Sequence, residues 1–287
     1  MSCEILTGAP VAAALSEKLS TRAAALRARG IVPCLAIVRV GERPDDCSYE
    51  RGAMKRCASI GIDVRSIVLD ADCTQEQLCT QLRKLNDDDS VHGVLLFRPL
   101  PRTMNEREVC DTLDPKKDVD GMTIGSMASV YAGVGDGFVP CTAQAVAEML
   151  NYYQIPVEGR RVAVVGRSLV IGRPVSLLLM RQNATVTMCH SRTAALPAVT
   201  QEADIVIAAV GHINAIRGEH LRAGQTVIDV GINFNEATQK LCGDVDREEA
   251  EGIVDRLSSV PGGVGSVTTS VLASHIIEAA ERALGKV

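Results

Sequence analysis

Short apolar, β-branched runs alternate with stretches of helical periodicity along almost the whole chain. No other feature constrains the fold as tightly. "PCLAIVRVG" (33–41) is followed by a helical pattern over 48–60, "DVRSIVLD" (63–70) by "TQEQLCTQLRKLND" (74–87), and "VHGVLLFRPLP" (91–101) by a Pro-stiffened loop. Thr74 with Gln77 three places on predicts a capped helix start. A second series begins after "GDGFVPCTAQAVAEMLNYY" (135–153), where a Gly-rich turn and Pro140 precede an amphipathic helix with Thr142 as its expected cap. "RRVAVVG" (160–166), "TVTMCHS" (185–191), "ADIVIAAVG" (203–211) and "QTVIDVGIN" (225–233) then read as buried parallel strands. The Gly-dense "VPGGVGSVTTS" (260–270) and a terminal helix, "VLASHIIEAAERAL", close the chain. Such βαβα alternation predicts an α/β protein with mostly parallel sheets covered by helices. The change of texture near 135–142 marks a boundary, giving domains over 1–140 and 141–269.

Length and composition fit this. The 287 residues allow two domains with substantial cores. Aromatic residues make up 2% and Trp is absent, so the core must be aliphatic. A net charge of -5 without a Lys/Arg cluster argues against nucleic acid, which requires a basic face. No apolar run approaches the roughly 20 residues of a membrane span. The ten cysteines contain no C-x-x-C pair and no zinc-type spacing with His, so no metal is expected. Buried free thiols and a reducing cytoplasm are the expectation. His190, His212, His220 and His275 have no evident chemical partner in the sequence and are expected to be structural or superficial.

Two stretches carry chemistry. In "RRVAVVGRSLVIGRPVSLLLM" a strand, a tight turn and a helix follow one another, with Gly166 and Gly172 in the turn and Ser168 where a dinucleotide fingerprint has Gly. The spacing alone is a weak match, but its strand-turn-helix context suits a pyrophosphate at a helix N-terminus. The next strand ends in "CHSRT". His190, Ser191 and Arg192 stand where an NAD site has a carboxylate for the ribose, and Arg167 lies in the turn itself. This favours NADP over NAD. In "DPKKDVDGMTIG" (114–125), Asp118 and Asp120 are either a solvated turn or helix cap, or an acceptor for an amino-pyrimidinone edge.

"VRVGERPDDCSY", "GVLLFRPLP", "PKKDVDG", "PCTAQAV", "VVGRSLVIGRPV", "CHSRT", "VIDVGIN" and "VPGGVGSVTTSVL" occur in this order. Together they resemble the bifunctional methylenetetrahydrofolate dehydrogenase/methenyltetrahydrofolate cyclohydrolase family, from about residue 5 to the C-terminus. The resemblance implies an N-terminal catalytic domain completed by a helix over 270–287, a Rossmann-type cofactor domain, a folate site in the cleft between them, and a homodimer. It implies oxidation of 5,10-methylenetetrahydrofolate by hydride transfer to NAD(P)+, then hydrolysis of the methenyl cation to 10-formyltetrahydrofolate, with no metal or flavin. By residue, it implies that Tyr49 packs on the folate aminobenzoyl ring and Asp120 binds the pterin. Leu100 and Pro101 wall that pocket. Gly166, Arg167, Ser168 and Ile171 form the cofactor turn, and Ser191 and Arg192 flank the adenine ribose. Gly231 and Ile232 also face the cofactor. Gly262, Gly263 and Thr268 belong to a loop that closes over ligand and cofactor.

Two positions depart from the resembled pattern. Where the family has a Lys one helical turn after its Tyr, this chain has Ala53, and where the family has Gln before "PLP" it has Phe97. Lys55 lies about 200° round the helix from position 53. Arg56 is displaced by a turn, and a guanidinium stays protonated. Arg98 follows Phe97 in an apparent strand and is expected to face away from it. Hydride transfer depends on positioning, whereas cyclohydrolysis needs proton transfer. The expectation is a dehydrogenase with the cyclohydrolase weakened or lost. The alternatives are a full bifunctional enzyme using another base, an oxidoreductase with a changed substrate, and a non-catalytic folate- or nucleotide-binding paralogue.

Overall fold

The computed structural model describes residues 3–285. In chain order the elements are β1 (Glu4–Leu6), α1 (Gly8–Ala28), β2 (Cys34–Val40), α2 (Pro44–Ile60), β3 (Asp63–Leu69), α3 (Gln75–Asp87), β4 (Gly93–Leu96), α4 (Glu106–Cys110), α5 (Ile124–Ala132) and α6 (Cys141–Tyr152). They continue with β5 (Arg161–Val165), α7 (Gly172–Arg181), β6 (Thr185–Cys189), α8 (Leu196–Gln201), β7 (Ile205–Ala208), β8 (Thr226–Asp229), β9 (Asn233–Asn235), β10 (Lys240–Cys242), α9 (Arg247–Glu251), β11 (Arg256–Ser258) and α10 (Thr268–Leu284). The chain divides into two compact units. One comprises the chain up to Ala12 with Thr142–Thr268, the other Ala13–Cys141 with the chain from Thr269 onward.

The unit containing β2 has a three-stranded parallel sheet in the order β3-β2-β4. Central β2 has no residue exposed along "CLAIVRV", because neighbours flank both edges and helices cover the faces. Edge strand β3 alternates exposed and half-buried positions instead. Leu78, Leu82 and Leu85 of α3, spaced at three and four residues, enter the core with Val38, Val94 and Leu96. Thr74 caps α3 as expected: its hydroxyl accepts from Gln77 N at 3.2 Å, and Gln77 Oε1 accepts from Thr74 N at 2.7 Å. Gly61, at φ 95°, ends α2 in a left-handed conformation that favours glycine. The C-terminal helix belongs to this unit, where Glu281 of α10 pairs with Arg22 of α1 at 2.6 Å.

The other unit has a six-stranded sheet, β1-β11-β8-β7-β5-β6, parallel throughout. The four strands read from the second half of the sequence are its centre and one edge. The three-residue β1 lies beside β11, at the far edge from β6, a position that no sequence pattern announced. Val165, Val206, Ala208, Val227 and Leu257 form its apolar layer with Ile216 and Val245. One expectation is corrected: α6 already begins at Cys141, so Thr142 lies inside its first turn and is not its cap.

Phe138 is the one aromatic side chain among the buried hydrophobic residues described; the rest of the core is aliphatic. No helix among the described residues is long and apolar enough to cross a membrane. Ile37, fully buried in β2, should lose about 2–5 kcal/mol on substitution by Ala. Val68 on edge strand β3, 48% exposed, should lose under about 1 kcal/mol on the same change. Urea unfolding of Ile37→Ala and Val68→Ala, followed by circular dichroism, checks the difference.

Candidate active site

The strands of a parallel sheet all point one way, so the loops at their carboxyl ends gather along one edge. In the unit containing β2, that edge carries the expected folate residues. Helix α2 is anchored there by Glu50. Its carboxylate pairs with Arg39 of β2 at 2.9 Å and accepts from Ser66 of β3 at 2.5 Å. Both members of the pair are almost enclosed, so removing either would leave a buried charge. Tyr49, the neighbour of Glu50, packs edge-on against Phe97, with ring centroids 5.8 Å apart and an interplanar angle of 83°.

Ala53, one turn on, is completely buried. Lys55 is exposed, and Arg56 donates to Ser16 Oγ of α1 at 3.0 Å. Phe97 N still bonds to Val38 O of β2, but Arg98 lies past the last ladder bond. Strand alternation, which led to the expectation that Arg98 faces away from Phe97, therefore does not fix its direction. Its Nη2 lies 3.7 Å from Asp120 Oδ2 and its Nη1 3.9 Å from Glu106 Oε1. Glu106 also accepts from Leu100 N at 2.9 Å, fixing the start of the "LP" wall, where Leu100 is buried and Pro101 half-buried.

The two carboxylates of "DVDG" have opposite surroundings. Asp118 is fully buried and accepts from Met122 N (3.1 Å), Thr123 N (2.8 Å) and Ser126 Oγ (2.6 Å). It holds the turn into α5. Asp120 keeps 27% of its side chain open, so a ligand can reach it. Even so, the protein packed around this carboxyl pushes its pKa up to about 6, against the opposing pull of Arg98; Asp118 adds to the rise. The Cys141 thiol, kept protonated by burial, donates to Val119 O at 3.3 Å and works against the rise at Asp120. Gly121, at φ 70°, follows Asp120. A Cβ there would lie 2.6 Å from Pro140 N and 2.7 Å from Phe138 O, so the turn that presents Asp120 requires glycine.

In the other unit, the carboxyl ends of β5, β6, β8 and β11 carry the expected cofactor residues. Gly166 turns directly after β5 at φ 130°, and a Cβ on it would meet Ala209 O at 2.1 Å. A Cβ on Gly172, the first residue of α7, would meet Gly166 O at 2.2 Å. The turn therefore brings strand, loop and helix N-terminus closer than side chains allow. Ser168 Oγ accepts from Ile171 N at 3.1 Å, which explains a hydroxyl in place of glycine. Arg167 and Ser168 are exposed, and Ile171 is half-buried. After β6, Ser191 and Arg192 are exposed, and His190 Nδ1 accepts from Arg192 N at 3.1 Å. These residues are compatible with a dinucleotide: a helix N-terminus follows the glycine turn, Arg167 and Arg192 are exposed cations, and 190–193 include no carboxylate. Gly231, Ile232, Gly262 and Gly263 line a small cavity of about 210 Å³. Thr268 starts α10 and donates from Oγ1 to Gly265 O at 3.0 Å.

Sequence reading missed the carboxylates behind these loops. Asp244, fully buried, accepts from Val210 N (2.6 Å) and Gly211 N (2.9 Å) on Oδ2, and from His212 N (2.9 Å) and Asn233 Nδ2 (2.9 Å) on Oδ1. Asp229 accepts from Gly231 N and Asp244 N on Oδ1 and from Val245 N on Oδ2. Burial raises the Asp229 pKa to about 6, against the hydrogen bonds that favour its charge. The signals were present in "VIDVGIN" and "CGDV", each an acid inside an apolar, Gly-bearing run.

A larger cavity of about 750 Å³ lies at the opposite edge of the three-stranded sheet from Asp120. Val32, Cys34, Asp63 and His92, at the amino ends of β2, β3 and β4, line it. Several of its polar groups are already paired: Arg27 with Asp63, Arg65 with Asp88, and His92 Nδ1 with Cys34 N. The other histidines are structural. His275 Nδ1 bonds Val119 O at 2.8 Å, His220 Nδ1 accepts from Arg217 N, and His212 Nδ1 bonds Ile213 O. All ten cysteines are free, and among the described residues no group of His, Cys, Asp and Glu could hold a metal ion.

Two family models match: the tetrahydrofolate dehydrogenase/cyclohydrolase catalytic domain over residues 6–120 and the NAD(P)-binding domain of the same family over 140–284. The chain belongs to the tetrahydrofolate dehydrogenase/cyclohydrolase family. It is 50% identical over 279 residues to the bifunctional protein FolD of Carboxydothermus hydrogenoformans, covering 97% of each chain. Among solved structures it resembles the bifunctional FolD of Campylobacter jejuni, with a TM-score of 0.94 at 34% identity over 98% of this chain and 99% of that one. It also resembles the Trypanosoma brucei dehydrogenase-cyclohydrolase complexed with NADP and an inhibitor, with a TM-score of 0.91 at 32% identity over 99% of each chain.

Asp244→Asn replaces two acceptor lone pairs with donors and orphans at least two N–H groups, at about 1–3 kcal/mol each. The variant should melt several degrees lower while keeping its far-ultraviolet dichroism. An unchanged melting temperature would show that the loops do not depend on this carboxylate.

Proposed function

We propose that this chain oxidises 5,10-methylenetetrahydrofolate to 5,10-methenyltetrahydrofolate with NAD(P)+, NADP+ being preferred. The observation that carries the reading is Asp120: a reachable carboxylate with open acceptor positions, facing Arg98, whose other partner Glu106 holds the start of the Leu100–Pro101 segment. Asp120 accepts the N–H donors of the amino-pyrimidinone edge and so fixes the pterin. Tyr49 supports the aminobenzoyl ring. Gly166, Arg167, Ser168 and Ile171 hold the pyrophosphate end of the dinucleotide, Ser191 and Arg192 its ribose phosphate, and Gly231, Ile232, Gly262, Gly263 and Thr268 the loops over its reactive end. When bound, NAD(P)+ supplies the hydride acceptor. The chain's contribution to that step is orientation and exclusion of water, for which no proton-transfer side chain is required.

The relatives named above are bifunctional, which favours a chain that goes on to hydrolyse the methenyl cation to 10-formyltetrahydrofolate. This is the better supported account of the second step. A second reading, dehydrogenase without efficient cyclohydrolase, is favoured by one observation. Fully buried Ala53 and the ring of Phe97 occupy the two positions where the resembled pattern has Lys and Gln. Neither can move a proton to or from water or a ring nitrogen. The proposal includes a cytoplasmic location, supported by ten unpaired cysteines, and a homodimer, which light scattering tests.

Asp120→Ala should abolish turnover of methylenetetrahydrofolate while leaving NADP+ affinity within about twofold; retained turnover would refute the folate reading. Paired replacement Ala53→Lys with Phe97→Gln separates the accounts of the second step. If Ala53 and Phe97 have silenced hydrolysis, wild type loses methenyl absorbance no faster than buffer, and the double variant hydrolyses it at least tenfold faster, within the span of general acid–base catalysis. Rapid hydrolysis by wild type establishes the bifunctional account.

A further inference from the structure

Asp120 sits in surroundings that oppose its charge. Packed protein surrounds it and the Asp118 carboxylate lies two residues away, both raising its pKa, while the Cys141 thiol acts the other way. A neutral carboxyl would present an O–H to the N–H donors of a pterin edge, so the pocket works only when Asp120 is ionised. One cation faces it. Arg98 Nη2 stands 3.7 Å from Asp120 Oδ2, too far to take up a hydrogen-bonding lone pair and near enough for its charge to act. Arg98 is held from its other side by Glu106, whose second oxygen accepts from Leu100 N. Guanidinium, carboxylate and pocket wall thus form one connected unit.

We infer that Arg98 is the positioning residue that keeps Asp120 an ionised acceptor for the pterin edge, acting through charge and leaving the Asp120 lone pairs to the substrate. The inference rests on the pterin role proposed for Asp120. It assigns a function to a side chain that the strand pattern had directed elsewhere. It also explains the geometry: a closer, bidentate pair would satisfy Asp120 without substrate, whereas a separated pair stabilises the charge and keeps the acceptor available. Glu106 tempers the effect by sharing the guanidinium, and so does the water that reaches the quarter-exposed Arg98 side chain.

The test is the pH profile of kcat/KM for methylenetetrahydrofolate between pH 5 and 8, with saturating NADP+, in wild type, Arg98→Leu, Arg98→Lys and Asp120→Ala. The raised Asp120 pKa predicts a wild-type profile that falls below about pH 6, where the carboxylate protonates. Arg98→Leu should move that acid limb up by about one unit, the low end of what an opposite charge at this range produces. At pH 6 its kcat/KM should then fall about fivefold below wild type, and at pH 8 stay within about twofold. Arg98→Lys, which keeps the charge, should restore the wild-type limb. A merely structural role for Arg98 would lower the rate equally across the range. An Arg98→Leu limb that coincides with wild type, or an Arg98→Lys limb that follows Arg98→Leu, overturns the inference. If Asp120→Ala turns the folate over with the wild-type limb intact, the pterin reading fails and the inference falls with it.

Discussion

Asp244 accepts hydrogen bonds from the backbone after β7 and from Asn233 after β8, while its own N–H is held by Asp229 at the end of β8. Loops at the carboxyl edge of a parallel sheet leave the ladder with unpaired N–H groups, and burying those groups without acceptors would cost more than the loops gain by packing. In this unit two carboxylates supply the acceptors. The charges are offset by backbone dipoles, with no basic side chain among the acceptor contacts. The closeness is such that a Cβ at Gly231 would meet Asp244 Oδ1 at 2.2 Å, and one at Gly243 would meet Asp229 Oδ2 at 1.8 Å. Glycine at 231 and 243 follows from the carboxylates, and the shape of the Gly231–Ile232 loop follows from both.

The unit containing β2 uses the same device and then departs from it. Asp118 is saturated by Met122, Thr123 and Ser126 and does structural work. Asp120, two residues on, is presented by a glycine turn into a place where its acceptors stay open. Saturation lets a buried carboxylate hold a turn; incomplete saturation, with a cation nearby, leaves it able to recognise a ligand. The cost of that openness is the raised pKa of Asp120. Because it is raised above the unfolded value, the group's contribution to folding stability is full in acid and is lost as pH rises through about 6. The pterin-binding role proposed for Asp120 runs the other way, since it requires the charged form.

Much of this was legible in the sequence because it depends on periodicity or on ordered motifs. The parallel strands, the Thr74–Gln77 capping box, the β5–α7 turn and the return of the C-terminal helix were all expected from local pattern or from the family resemblance. What escaped depends on where chains stop following a pattern. Arg98 was read by strand alternation, but the ladder ends at Phe97. Thr142 was read as a cap, but the helix starts one residue earlier. Three-residue β1 is too short to carry a pattern, and its place beside β11 is a long-range pairing. Asp229 and Asp244 stand out in sequence only as acids inside apolar runs; their partners could not be read, because the donors come from loops up to 34 residues away.

The central claim is that a folate held by Asp120 gives up a hydride directly to the nicotinamide dinucleotide. The most direct measurement uses substrate made from tetrahydrofolate and dideuterated formaldehyde, with NADP+ and the purified chain. The reduced cofactor is then examined by proton magnetic resonance. The account predicts one deuterium per turnover on the nicotinamide ring, with methenyl absorbance rising in step. Reduced cofactor without deuterium, or no reduction at all, would contradict it.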